Sequence, residues 1–294
     1  MLASVSAVLL VALYVVAVRT KWGQDLDDAA LDGRTTRSVV IRATGRLLDT
    51  ISITSLALLG GAATVIAVAR GRIHLALTAA AVVVGAVVTT EILKLVVLGR
   101  PDLLGSNDPL PTPSFPSGHA TVAMSLAVAF TLVVPARARG VIALGGVAYA
   151  CLIGTGTVTA GWHRPSDVMG GFLVVMMWAG IAAASLIRWR GATPEREAEH
   201  LGEPDINPTM AWMGAVLLAL GFVGFVIVYL AIRQDRLDAV RLDGAYAASL
   251  VAIVGVGLVL MSALLASLRG VGLDPHRELV SRAASRPGRA RPAR

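Results

Sequence analysis

Cysteine is all but missing: Cys151 stands alone among 294 residues, which excludes an intramolecular disulfide and any cysteine metal cluster. Lysine is nearly as scarce, with Lys21 and Lys94 beside 24 arginines, and charged residues of both signs make up 15% of the chain. Aromatics contribute 5%. So little charge cannot coat a water-soluble fold of this length when 55% of residues are hydrophobic and the mean hydropathy is +0.72. No internal repeat is visible, so the pseudo-symmetry common in secondary transporters has no support.

Long apolar runs are what the chain has in their place. Uncharged stretches at residues 1–18, 50–69, 73–90, 120–136, 140–162, 168–187, 206–232 and 244–268 approach the roughly 20 residues that a spanning helix needs. The expected class is all-α: a polytopic membrane bundle of about eight helices. The first run lacks a basic leader and a small-residue cleavage site, so it reads as a retained span. Residues 1–190 form the expected six-span core, 191–209 a cytoplasmic linker, 210–268 two further spans and 269–294 a basic tail. Cys151 is read as a small packing residue, and the pairs Gly60–Gly61, Gly145–Gly146 and Gly170–Gly171 as close helix contacts.

Seven of the arginines fall between Arg269 and Arg294. Beside a span such a tail orients the protein and touches anionic lipid, and no nucleic-acid-binding pattern accompanies it. Both termini are then expected in the cytoplasm of a plasma membrane, with 14 Lys or Arg on that side against 11 opposite. The loop from Arg19 to Arg46 carries six of those 11, matched by Asp25, Asp27, Asp28 and Asp32. The preference for arginine and alanine over lysine is consistent with a GC-rich bacterial genome.

Polar residues of chemical interest gather in three places. The third run ends "TTEILKLVVLGRPD", placing Glu91 and Lys94 in apolar surroundings, where ionisable groups are costly and usually functional. They are three residues apart and can pair on one helix face, and Lys94 lies about 7 Å below an exit at Gly99. Arg100 follows with no obvious partner in the sequence. The next loop carries Pro101, Pro109, Pro111, Pro113 and Pro116 and is stiff. It ends "FPSGHATVAM", where Ser117 suits an N-cap, Gly118 allows close approach to the backbone and His119 enters the first helical turn. Free N–H groups and a positive dipole end make that point an anion site.

The third place is "TVTAGWHRPSDVMGG". Pro165 suits a helix start, and Asp167, four residues after His163, can hold one ring nitrogen and leave the other exposed as nucleophile or base. Counting spans puts the second and third places on one side of the membrane. Two histidines, two cations and a helix N-terminus fit an anion with several oxygens, hence phosphate. A metal is disfavoured, because the histidines lack ligand partners at short spacing and their neighbours are cationic.

Together these elements resemble the type 2 phosphatidic acid phosphatase superfamily, which also contains vanadium haloperoxidases and bacterial acid phosphatases. Its pattern is Lys-x6-Arg-Pro, Pro-Ser-Gly-His, then Ser-Arg-x5-His-x3-Asp. The resemblance covers about residues 40–190 and implies a helical bundle with its site at the membrane rim. It implies that His163 is the nucleophile that becomes a phosphohistidine, that Asp167 orients it and that His119 protonates the leaving oxygen. Lys94, Arg100, Ser117 and the Gly118 amide would bind the phosphoryl oxygens, with no metal or organic cofactor. The chain departs from the pattern twice. Five residues, not six, separate Lys94 from Arg100, a shift that an irregular last turn can absorb. Gly156 and Thr157 replace Ser-Arg, and Arg164 is the candidate to supply the lost charge.

The expected function is an integral membrane enzyme that hydrolyses a lipid-linked phosphate or diphosphate at the outer face. Polyprenyl diphosphate, phosphatidic acid and phosphatidylglycerol phosphate are the candidate substrates. Phosphotransfer to a lipid or glycan acceptor, and lipid-phosphate binding or transport without catalysis, are the competing expectations. His74, His200 and His276 fall on the cytoplasmic side and are assigned no chemistry.

Overall fold

The computed structural model describes residues 1–34, the isolated positions 45, 48, 60, 61, 65 and 69, and residues 73–105, 113–190, 206–233 and 238–269. Among them are eight helices and no strand, an all-α polytopic membrane bundle. They are α1 (Leu2–Leu13, continued by a π turn at Tyr14–Val18), α2 (Lys21–Asp32), α3 (Ile73–Ile92, continued by a π turn at Leu93–Val97) and α4 (Gly118–Val133). Then come α5 (Ala136–Thr159), α6 (Pro165–Arg190), α7 (Ile206–Arg233) and α8 (Asp238–Leu268).

Five helices, α3 and α5 to α8, are long and apolar enough to cross a membrane, and α4 is a shorter apolar helix. Most of the expected span at 50–69, the loop prolines Pro109 and Pro111, most of the linker, His200, His276 and the tail beyond Arg269 lie outside the described residues. The first expected span is α1, which is long enough to cross only when α2 is counted with it, and the chain does not continue as a loop. It bends by 83° into α2, which runs across the end of the bundle. Thr20 caps α2 by accepting a hydrogen bond from the Gly23 N–H at 3.1 Å.

Neighbouring helices alternate in direction. Ala3 lies against Gly180, so α1 runs antiparallel to α6. Thr159 and Tyr246 share a hydrogen bond of 2.8 Å where α5 ends and α8 begins, and the Ser262 hydroxyl donates to Asn207 where α8 ends and α7 begins. The end of α3, the starts of α4 and α6 and the end of α5 therefore share one face of the bundle.

One apolar core joins α1, α3 to α6 and α8, with Met124, Ile153, Phe172, Met176, Ile253 and Met261 all buried. Cys151 is buried against Gly257 of α8, in the packing role read from the sequence. Helix α7 leaves Trp212 and Phe222 exposed and closes on α8 through Gly214, Gly221 and Gly224, small residues that let two backbones approach in lipid. Of the glycine pairs singled out above, Gly170–Gly171 makes close contacts with Phe115, Ser117 and Thr121, and Gly146 with Ala127. A Cβ at Gly60, Gly61 or Gly145 would meet nothing within 4 Å, so these are not close contacts among the described residues.

Candidate active site

The exit of α3 is irregular where the Lys-to-Arg spacing is one residue short. The π turn closes with the Leu98 N–H donating to the Leu93 carbonyl at 2.8 Å, and such a turn rotates the following residues relative to a regular helix. The Tyr14 hydroxyl fixes the exit by donating to the Gly99 carbonyl at 2.7 Å. Lys94 lies inside the π turn and donates to Glu91 Oε1 at 2.8 Å, so the expected pair forms. A Cβ at Gly118 would stand 3.3 Å from Glu91 Oε1 and 3.5 Å from Lys94 Nζ. Glycine is what brings the start of α4 beside the lysine amine.

Ser117 is the buried N-cap of α4, its hydroxyl oxygen accepting from the Ala120 N–H at 3.4 Å. Its own N–H donates to the Asp167 carbonyl at 2.8 Å, which ties the "PSGH" turn to the start of α6. On the other side of that junction Gly171 packs on the Ser117 carbonyl, where an added Cβ would sit at 2.8 Å.

Across this junction the two histidines meet. The His119 and His163 rings have centroids 6.1 Å apart, and the exposed Trp162 ring lies 5.4 Å from His119. Pro165 opens α6 and Asp167 falls in its first turn. Asp167 Oδ2 accepts the Arg164 N–H at 3.0 Å and lies 3.4 Å from His163 Nδ1. With Nδ1 turned to the carboxylate, Nε2 is the nitrogen left to react. Asp167 Oδ1 is buried without a hydrogen-bond partner among the described residues.

Thr157, at the position of the family arginine, is fully buried and donates its hydroxyl to the Gly154 carbonyl at 2.8 Å. Its carbonyl accepts the N–H of Trp162 at 2.9 Å and of His163 at 3.3 Å. Threonine here shapes the loop that carries His163 and contributes no cation.

The guanidinium groups stand differently from the sequence reading. Arg100, expected to lack a partner, sends Nη1 to Asp27 at 3.4 Å and Nη2 to Asp28 at 3.2 Å, and only 5% of its side chain is exposed. Arg164 is 1% exposed, with Nε donating to Asp28 Oδ1. Asp27 also accepts the Ser166 N–H at 3.1 Å and hydroxyl at 2.5 Å. The buried Gln24 side chain donates to the Val18 and Pro101 carbonyls and accepts from the Leu103 N–H. Helix α2, read from the sequence as part of a loop, thus supplies carboxylates to both guanidinium groups. Its signals were Thr20 as an N-cap and the helix formers after it. Nothing local pointed to Asp27 and Asp28 as partners, because they lie 73 and 72 residues from Arg100 and Asp28 lies 136 residues from Arg164.

Among the described residues no group of three or more His, Cys, Asp or Glu side chains is arranged to hold a metal ion. The site is one of imidazole and paired charge, built at the ends of α3 and α5, the starts of α4 and α6, and α2.

No curated protein and no solved structure matches the chain. Residues 73–190, from the start of α3 to the end of α6, match the family described as the PAP2 superfamily. That segment, which contains Lys94, Arg100, the Ser117–His119 turn, His163 and Asp167, is what is similar to the PAP2 superfamily.

Proposed function

We propose that this chain is a membrane phosphatase that hydrolyses a lipid-linked phosphate or diphosphate through a phosphohistidine at His163. The match of residues 73–190 to the PAP2 superfamily supports phosphatase-type chemistry on phosphate esters, and the apolar helices support a multi-pass membrane protein. The observation that carries the reading is the approach of His119 and His163 to 6.1 Å from loops 44 residues apart, with Asp167 behind His163.

Neutral His163 attacks phosphorus through Nε2, and the bond to the leaving oxygen breaks as protonated His119 delivers its proton there. A water then loses a proton to His119 and attacks phosphorus, the P–N bond breaks, and inorganic phosphate leaves. Asp167 holds Nδ1 and stabilises the positive ring while the intermediate exists. Lys94, Ser117, the Gly118 amide, Arg100 and Arg164 are the groups assigned to the phosphoryl oxygens, and the mechanism calls for no metal. A site at the end of the bundle suits a head group whose tail stays in lipid. Polyprenyl diphosphate, phosphatidic acid and phosphatidylglycerol phosphate have that shape. On this reading the site faces the extracytoplasmic side of the plasma membrane, opposite both termini.

Purified protein in detergent, with a panel of these lipids and excess chelator, tests the reading. Wild type is expected to release inorganic phosphate with chelator present, and His119→Ala and His163→Ala are not. Equal turnover in both alanine variants would remove the site, and a phosphorylated acceptor in place of free phosphate would make the enzyme a phosphotransferase. Thr157, which stands where the resemblance implies an arginine, supports a second reading, lipid-phosphate binding without turnover. Binding or movement of a lipid phosphate that persists in His163→Ala, with no release by wild type, would establish it.

A further inference from the structure

One oxygen of Asp28 touches both arginines of the site. Oδ1 accepts from Arg100 Nη2 at 3.2 Å and from Arg164 Nε. Two guanidinium forks that converge on one oxygen make an arrangement that binds a carboxylate or a phosphate equally well. Both arginines are nearly closed to solvent, whereas the Asp28 side chain is 24% exposed.

The neighbouring carboxylate is placed differently. Asp27 is 6% exposed and held by the Ser166 N–H, the Ser166 hydroxyl and Arg100. Helix α2 is also fastened by Gln24 and by Ala29 and Ala30 packed with Val228 and Ala245. Anchoring is therefore supplied without Asp28, and Asp28 can turn toward solvent while α2 stays in place.

We propose that Asp28 is an internal anion occupying the seat between Arg100 and Arg164, and that a phosphate head group binds by displacing it. The proposal rests on the phosphate-binding reading above and adds to it an affinity-determining residue outside the segment that matches the family. Binding then begins with an exchange of one anion for another, so a phosphate monoester, with close to two charges at pH 7, outcompetes a single carboxylate. The cost of releasing Asp28 is subtracted from every phosphate that enters.

Calorimetric titration of the detergent-solubilised full chain with inorganic phosphate tests this without turnover. Asp28→Asn is expected to tighten phosphate binding by about tenfold, since an amide competes weakly for a guanidinium. Asp28→Glu, which keeps the charge, and Asp32→Asn, on the exposed part of the same helix, are expected to stay within about threefold of wild type. Unchanged or weaker binding in Asp28→Asn overturns the proposal and leaves Asp28 a strut.

A measurement on wild type covers the case in which Asp28→Asn does not fold. Carbodiimide labelling of Asp28 is expected to rise about threefold when sulfate, an unreactive tetrahedral dianion, is added, whereas unchanged labelling or protection overturns displacement. If phosphate binds neither wild type nor any variant, the phosphate-site reading falls together with this one. If phosphate binds all variants equally, only the role of Asp28 falls.

Discussion

The two halves of the site are held in opposite ways. In the imidazole half, His119 and His163 face each other across 6.1 Å, and His163 leans on the Asp167 carboxylate. In the guanidinium half, Arg100, Arg164, Asp27 and Asp28 neutralise one another, all but Asp28 nearly closed to solvent. The first half carries groups that can change protonation during a reaction. The second is an ion network in which removal of one member strands another in a dry place. Chemistry and stability are therefore expected to separate by location.

His163→Ala should have the largest effect, abolishing phosphate release and any acid-labile phosphoenzyme while leaving the melting temperature close to wild type. A marked loss of stability in this variant would erase the contrast. His119→Ala should lower turnover by about 10²–10⁴-fold, the usual worth of a positioned acid or base. Much of that loss should return with a p-nitrophenyl leaving group, which needs no proton. Equal loss on both substrates would move His119 from proton transfer to binding.

In the guanidinium half, Arg100→Ala leaves the buried Asp27 without its guanidinium partner and should destabilise the fold by about 3–5 kcal/mol in denaturant titration. Gly171→Ala, which drives a Cβ to 2.8 Å from the Ser117 carbonyl, should cost about 1–3 kcal/mol through a displaced α4–α6 junction. Lys94→Ala should be the mildest for stability, below about 1 kcal/mol, because its partner Glu91 is 46% exposed. Activity, not melting temperature, is where Lys94 should register.

The imidazole half was legible because each of its parts is a short-range pattern. Ser117 and Pro165 are helix starts in any context, and the i,i+4 spacing of His163 and Asp167 places them together on one turn. That Lys94 and Glu91 pair followed from the same kind of spacing. The partners of Arg100 were not legible, since no rule of spacing reaches from Arg100 back to Asp27 and Asp28. The four acids between Arg19 and Arg46 were visible as a balance of charge but not as a site. Thr157 shows the same limit: its identity announced a missing arginine, while its role as a carbonyl holding the Trp162 and His163 amides required the loop itself.

Composition and periodicity determined that this chain is an all-α membrane bundle and that phosphate chemistry was the question to ask of it, because hydropathy and turn signals act over a few residues. Tertiary structure decided which charges remain available at the site. Helix α2 turns by 83° off α1 and lays two carboxylates over two arginines. Electrostatic pairing depends on distance through space, and only the folded chain sets that distance.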